Sequence, residues 1–501
     1  MPPVPGFYRC KAVYVVVDFR NFEAQRSNRI LNMKTSDLKS LALSTIERAR
    51  SLGVTFADLR VMRSELTQAR VQDSRADRLG HNVAMGVGLR VLVDEAWGFA
   101  GTDELRPRAL EDALHKAVAM ARASKDHVPD KGSVADIEPT EAAETVEAKI
   151  PPHSVPVREK MDRLLALEQA ALKDCGSIIV NSILSYGDGV GRELLVNTAG
   201  SCIEKEVVRC SVSCLFVASD GKLFQRAGES YANRAGFEVV KELDPEKTTV
   251  HVARIAATQL KAKRPPAGKF PVVFHPSVTG LLMHEALGHN AEADAVWAGE
   301  SILAGRLGDR IAVQKVTVCD DATYPNSYGS YAYDSEGIPG QKRVIIKEGV
   351  LKGYLHSLET ADKFNVKPNG SARAQSFLHR PIVRMSNTYM APGTDRAEEI
   401  FRGIDRGIYL KDGSWGYVFV DKGRFVCHAT QAQMIEHGKL GEPLRDVSVG
   451  GMMLETLMDI EAVADDFEMN KPGTCGKGGQ GAPVNCGGPH VRVKSLVVGG
   501  V

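Results

Sequence analysis

The stretch VAMGVGLRVLV at residues 83–93 decides the first question of fold. Val83, Met85, Val87, Leu89, Val91 and Val93 recur at every second position, which is the period of a β-strand with one apolar face. Upstream, TSDLKSLALSTIERARSLG at 35–53 has the helical period instead. Thr35 or Ser36 caps it, Leu38, Leu41, Thr45, Ile46, Ala49 and Leu52 form an apolar stripe, and Gly53 stops it. A second helix is expected near 106–123, with Ala109, Leu110, Ala113, Leu114, Ala117 and Val118 on one side.

Working outward, residues 33–128 read as an N-terminal α/β portion, and 129–156, proline-rich and without periodicity, as a connecting segment. Residues 157–262 read as a second α/β portion that opens on a helix at 157–173. KRPPAGKFPVVF at 263–274 begins a C-terminal region, 263–501, of short strands separated by Gly, Asp and Asn turns. The fold class is α+β, with a β-dominated C-terminal domain. Residues 1–32 read as an N-terminal extension, because Met33 immediately precedes the capped helix.

Composition narrows the function. Sixty-three basic residues against 62 acidic ones give no field that would draw nucleic acid or an anionic membrane. The apolar run VYVVV at 13–17 is far short of the roughly 20 residues that span a bilayer. Nine cysteines, an odd number without regular spacing, argue for reduced thiols and a cytoplasmic protein. There is no G-x-S-x-G elbow and no Walker motif. GKGGQG at 476–481 matches G-x-G-x-x-G, but no strand pattern precedes it and no helical pattern follows, so it is not read as a dinucleotide site.

LLMHEALGH at 281–289 carries the chemistry. Its histidines, His284 and His289, are five apart, whereas the familiar metalloprotease H-E-x-x-H places them four apart. Five α-helical steps leave them about 140° apart, so an unbroken α-helix aims them at different places. Gly288 is placed to break the turn by adopting a left-handed conformation. The plain alternative is an ordinary helix with satisfied histidines and a surface glutamate. A catalytic zinc needs about three protein ligands and an open position. Candidates for the third are Glu292, Asp294, His275 or a cysteine, of which Cys475, in the glycine-rich NKPGTCGKGGQGAPV, suits an accessible shaped loop. The tyrosine-rich YPNSYGSYAYDSEG at 324–337 reads equally as a groove lining and as a turn-rich surface loop.

MHEALGHNAEAD, YDSEGIPGQKRVIIKEGVLKGYLHS, NGSARAQSFLHRPIVRMSNTYMAPG, ATQAQMIEHGKLGEPL and GTCGKGGQ with a closing VVGGV resemble the TldD branch of the TldD/PmbA peptidase family, from about Met33 to the last residue. The resemblance implies a cytosolic zinc metallopeptidase that cuts unfolded peptides and processes peptide precursors. It also implies a heterodimer with a TldE (PmbA) subunit that lacks the metal site, or failing that a homodimer. The family's metal-binding histidines fall on His284 and His289, its cysteine ligand on Cys475 and its catalytic glutamate on Glu285. Zinc (Zn2+) is then the expected cofactor and an extended peptide the expected substrate. The rival classes are a non-catalytic peptide-binding subunit and a structural-zinc protein.

Overall fold

The computed structural model describes residues 35–128 and 130–500, so the expected extension 1–32 lies outside the described residues. Helix α1 (Thr35–Ser51) leads into three strands, β1 (Phe56–Gln72), β2 (Arg75–Val93) and β3 (Ala96–Thr102), and then helix α2 (Pro107–Ser124). After the connection come β4 (Glu141–Glu144), helix α3 (Val157–Cys175), β5 (Ile179–Asn197), β6 (Cys202–Ser219) and β7 (Phe224–Asn233). These strands form one sheet in the order β3-β2-β1-β5-β6-β4, with β7 also on β6. The two α/β portions thus share a continuous sheet. The connecting segment contributes β4, whose EAAE sequence is too short and polar to show a period, yet it pairs parallel with β6.

The sheet has two unlike faces because side chains alternate along each strand. On β1, Ala57, Leu59, Val61, Ala69 and Val71 are buried beneath the helices: α1 and α2 cover one half, α3 and the helix His251–Gln259 the other. The opposite face is polar and meets the C-terminal region. Arg90 pairs with Asp58 and, at 2.8 Å, with Glu336; Arg209 donates to the Tyr328 carbonyl at 2.9 Å.

The C-terminal region contains a nine-stranded and a seven-stranded sheet. Strand β8 (Gly268–Phe274) runs inside the first, and helix α4 (Pro276–Leu282) follows directly. Strand β9 (Gly413–Phe419) is the outermost strand of the nine-stranded sheet. A hairpin, β10 (Gly473–Lys477) and β11 (Gln480–Gly488), belongs to the other sheet, and β12 (Val491–Gly500) returns to the first. Val278, Leu282, Met283, Ala286 and Leu287 join strand residues such as Val272, Phe425 and Val493 in one core, so the segment after β8 is packed along most of its surface. Among the described residues no helix is long and apolar enough to cross a membrane.

Candidate metal centre

The problem posed by five-residue histidine spacing is solved without a helix break. Residues Met283–Gly288 wind as a π-helix, and the His289 N–H donates to the carbonyl of His284. An i→i+5 bond stacks the sixth residue above the first, as the i→i+4 bond of an α-helix stacks the fifth. The wider turn therefore brings His284 and His289 to one side, their rings 5.3 Å apart and nearly perpendicular. This corrects the expected role of Gly288, whose φ of −58° and ψ of −49° are right-handed helical. Its glycine identity answers to packing: a Cβ there would lie 2.0 Å from the Met385 sulfur.

Cys475 arrives on β10, which corrects the reading of an accessible loop. It is 7% exposed and sits on a strand that pairs with β11, Cys475 opposite Ala482. Gly478 and Gly479, with φ of 57° and 73°, make the two-residue turn between Lys477 and Gln480. Positive φ at both central positions is the type I′ hairpin requirement, and glycine meets it without strain. A strand does precede GKGGQG, but another strand follows, so the match to a dinucleotide motif is a hairpin turn.

One ligand atom from each of His284, His289 and Cys475 lies within 4.8 Å of the others. His289 Nε2 is 3.4 Å from the Cys475 sulfur. Burial raises a thiol's pKa, and it pushes Cys427 and Cys486 up to about 12. At Cys475 hydrogen bonds from His284 and His289 outweigh burial and bring it down to about 5. Burial likewise opposes the His289 cation, but Cys475 and Glu292 raise it to about 10. Both shifts favour the thiolate form of Cys475, the form that ligates a metal, and among the described residues His284 Nδ1 is buried with no hydrogen-bond partner. Two imidazoles and a thiolate are donors that suit zinc, with fewer than four protein ligands. The residues present fit such an ion.

The other expected candidates separate cleanly. Glu292 is buried, and its carboxylate accepts from His289 Nδ1 at 3.0 Å while pairing with Lys477 at 3.1 Å. It orients a ligand rather than joining the three, as carboxylates behind metal-binding histidines commonly do. Asp294 accepts from Lys477 at 2.7 Å. His275 is elsewhere: its Nδ1 accepts from the Ser277 N–H and caps α4. Glu285 is half-buried, accepts no hydrogen bond among the described residues, and faces Gly416 of β9, where a Cβ would lie 3.0 Å from its Cγ. Of the tyrosine-rich stretch, Tyr328 lines a cavity, whereas Tyr331 donates inward to the Gly370 carbonyl at 2.8 Å.

Two residues escaped sequence reasoning. Lys477, in the same TCGK that carries Cys475, ties Glu292 and Asp294 to the hairpin. Arg384, 1% exposed, donates to the carbonyls of Cys475 and Gln480, and so clamps both strands of the hairpin. Neither has a local signal beyond its place in a stretch already singled out.

Family descriptions match along the chain: PmbA/TldA metallopeptidase domain 1 at residues 57–121, the central domain at 150–264 and the C-terminal domain at 267–500. The chain belongs to the PmbA/TldD metallopeptidase family. It is 38% identical over 447 residues to a metalloprotease of Methanothermobacter thermautotrophicus, covering 89% of this chain and 96% of that one. It is 30% identical to a zinc metalloprotease TldD homolog of Saccharolobus solfataricus, with 91% and 99% covered. Its fold is similar to the crystal structure of TldE from Thermococcus kodakarensis, with a TM-score of 0.74, 18% identity, and 92% and 100% of the two chains covered.

Proposed function

We propose that this metallopeptidase uses zinc held by His284, His289 and Cys475, with Glu285 as general base, to hydrolyse flexible peptides. The observation that carries the reading is the convergence of the three ligand atoms within 4.8 Å on a π turn and a hairpin. Zinc, when bound there, supplies Lewis acidity toward a peptide carbonyl and acidifies water. Glu285 adjoins a proposed ligand in sequence, and among the described residues no side chain donates to its carboxylate. It takes the proton of the attacking water and passes it to the leaving amine. Glu292 holds His289 in the tautomer that presents Nε2 to the cluster.

The substrate binds extended. Strand β9 has a neighbour on one side only among the described residues, and its Gly416 packs on Glu285. A peptide added to that free edge would gain backbone hydrogen bonds with loose sequence selection. The active species is a cytoplasmic dimer, with a TldE-like subunit as the preferred partner. Trp415, Tyr417 and Phe419, exposed on alternate positions of β9, offer apolar area for that contact or for substrate.

Metal analysis combined with cleavage of an unstructured peptide, with and without a TldE-like subunit, tests this. The expected result is about one zinc per chain, cleavage of the unstructured peptide and sparing of a stable folded domain. Full activity of a monomer in analytical ultracentrifugation would overturn the dimer. Stoichiometric zinc without hydrolysis under either condition would overturn the peptidase mechanism in favour of a structural metal.

A further inference from the structure

Between the polar face of the N-terminal sheet and the C-terminal region lies a cavity of about 430 Å³. Its floor follows one row across five strands. Arg78 of β2 stands opposite Arg70 of β1, Arg70 opposite Ser185 of β5, Ser185 opposite Ser213 of β6, and Ser213 opposite Ser230 of β7. Tyr328 and the first residues of β10, Gly473 and Thr474, form the facing wall.

The two arginines are the unusual element. Like charges directly opposite each other destabilise a sheet unless something compensates them. Elsewhere in the same sheet Arg63 stands opposite Arg192, and there each has its own acid, Glu65 and Glu206. In the cavity Arg70 lies 3.3 Å from Asp77, but Arg78 has no carboxylate partner among the described residues. One guanidinium charge is therefore uncompensated beside a floor of hydroxyl groups. That combination suits a carboxylate, which a guanidinium can hold through two parallel hydrogen bonds and serine hydroxyls can support.

We propose that this cavity binds a carboxylate carried by the peptide substrate, either an acidic side chain or the free C-terminus. The proposal rests on the peptidase reading above. Gly473 and Thr474 directly precede Cys475, so the cavity wall and the candidate ligand lie on one strand. At about 3.3 Å per strand residue, the cavity wall at Thr474 is one step along the strand from the candidate ligand. β10 pairs only with β11 among the described residues, which leaves a path along its other edge.

The test uses the full zinc-loaded chain and flexible peptides that differ only as Glu against Gln at each position, each with a free or an amidated C-terminus. The carboxylate form should be preferred about tenfold or more in kcat/KM, through KM. Arg78→Gln should bring the ratio close to one; Arg78 is exposed, so this variant should keep its Tm. A preference that follows Glu→Gln assigns an acidic side chain, and one that disappears on amidation assigns the C-terminus. Equal kcat/KM for every pair in the wild type, or an unchanged ratio in Arg78→Gln, would overturn the proposal. Fluorescence anisotropy of the same peptides, labelled and bound to Glu285→Gln, gives a readout that needs no cleavage. If the wild type cuts nothing, the peptidase reading fails on its own and the binding ratio still decides the cavity, with equal or absent binding overturning it.

Discussion

The C-terminal region holds two histidine pairs of almost the same geometry. His284 and His289 lie 5.3 Å apart with their rings at 81°; His275 and His490 lie 5.1 Å apart at 83°. Their surroundings differ. His490 donates or accepts at both nitrogens, to Asp466 at 2.6 Å and Tyr409 at 2.9 Å, and His275 Nδ1 is taken by Ser277. Burial and the neighbouring His490 push His275 down to about 4, the behaviour of a ring kept neutral. In the first pair the Cys475 sulfur lies beside both rings, and among the described residues the buried His284 Nδ1 lacks a partner. Proximity of two imidazoles is common to both pairs, whereas a third soft donor and a buried ring nitrogen without a partner among the described residues belong to the first. The candidate metal centre is defined by the second condition.

The largest effect that would break or sustain this contrast is on metal content. Cys475→Ser should lower bound zinc from about one per chain to near zero, while His490→Gln and Cys319→Ser retain it. Elemental analysis of the purified proteins decides, and equal retention in all three would dissolve the distinction between the pairs. Next comes Glu285→Gln, which should keep its zinc and lose roughly 10²–10⁴ in peptide hydrolysis. Wild-type turnover at full metal occupancy would remove Glu285 from the chemistry.

A smaller change is expected behind the ligand. Glu292→Gln should weaken zinc affinity by about 10–100-fold, measured by competition with a chelator, because the carboxylate that orients His289 is gone. An unchanged affinity would mean that Lys477 and the hairpin orient the ring without it. The smallest effect falls on the second pair. His275 has a folded pKa of about 4, below its ordinary 6.5, so between those values the unfolded chain binds the extra proton. Stability therefore rises with pH across that window, and acidification from 6.5 toward 4 removes it. The contribution is at most about 3 kcal/mol, less for a ring that retains some solvent contact. Denaturant unfolding of metal-free wild type and His275→Gln at pH 7 and pH 4.5 should show the smaller pH dependence in the variant. Identical pH slopes would mean that His275 protonates freely in the folded protein.

Local pattern made a good part of this molecule legible. Helices α1, α2 and α3 lie within a few residues of the expected 35–53, 106–123 and 157–173, because an apolar stripe, and for α1 the stop at Gly53, act within one or two turns. The alternation at 83–93 gives a strand, although β2 extends back to Arg75 through residues with no apolar face. The EAAE strand was not legible, since its four residues gain their place only from the edge of β6. Nor was Cys475 legible as a strand residue. Its glycines signal a turn, and only the pairing of Gly473–Lys477 with 480–484 converts the flanks into a hairpin.

What the sequence determined by itself is the inventory: HExxxH, a cysteine in TCGK, near-neutral charge, and helices and strands in α+β order. It also determined that an ordinary α-helix is unsuited to the histidine spacing, since that follows from angle alone. How the spacing is reconciled was left to tertiary structure. A π turn sacrifices regular α-helical bonding, and isolated sequence has no reason to favour it. Here the segment is wedged between two sheets, with Gly288 against Met385, and the surrounding core holds the wider turn in place. The same packing brings Cys475 to the pair from 186 residues away and assigns Glu292 to orient rather than to ligate. Those choices depend on distances between segments remote in the chain, which periodicity and spacing do not encode.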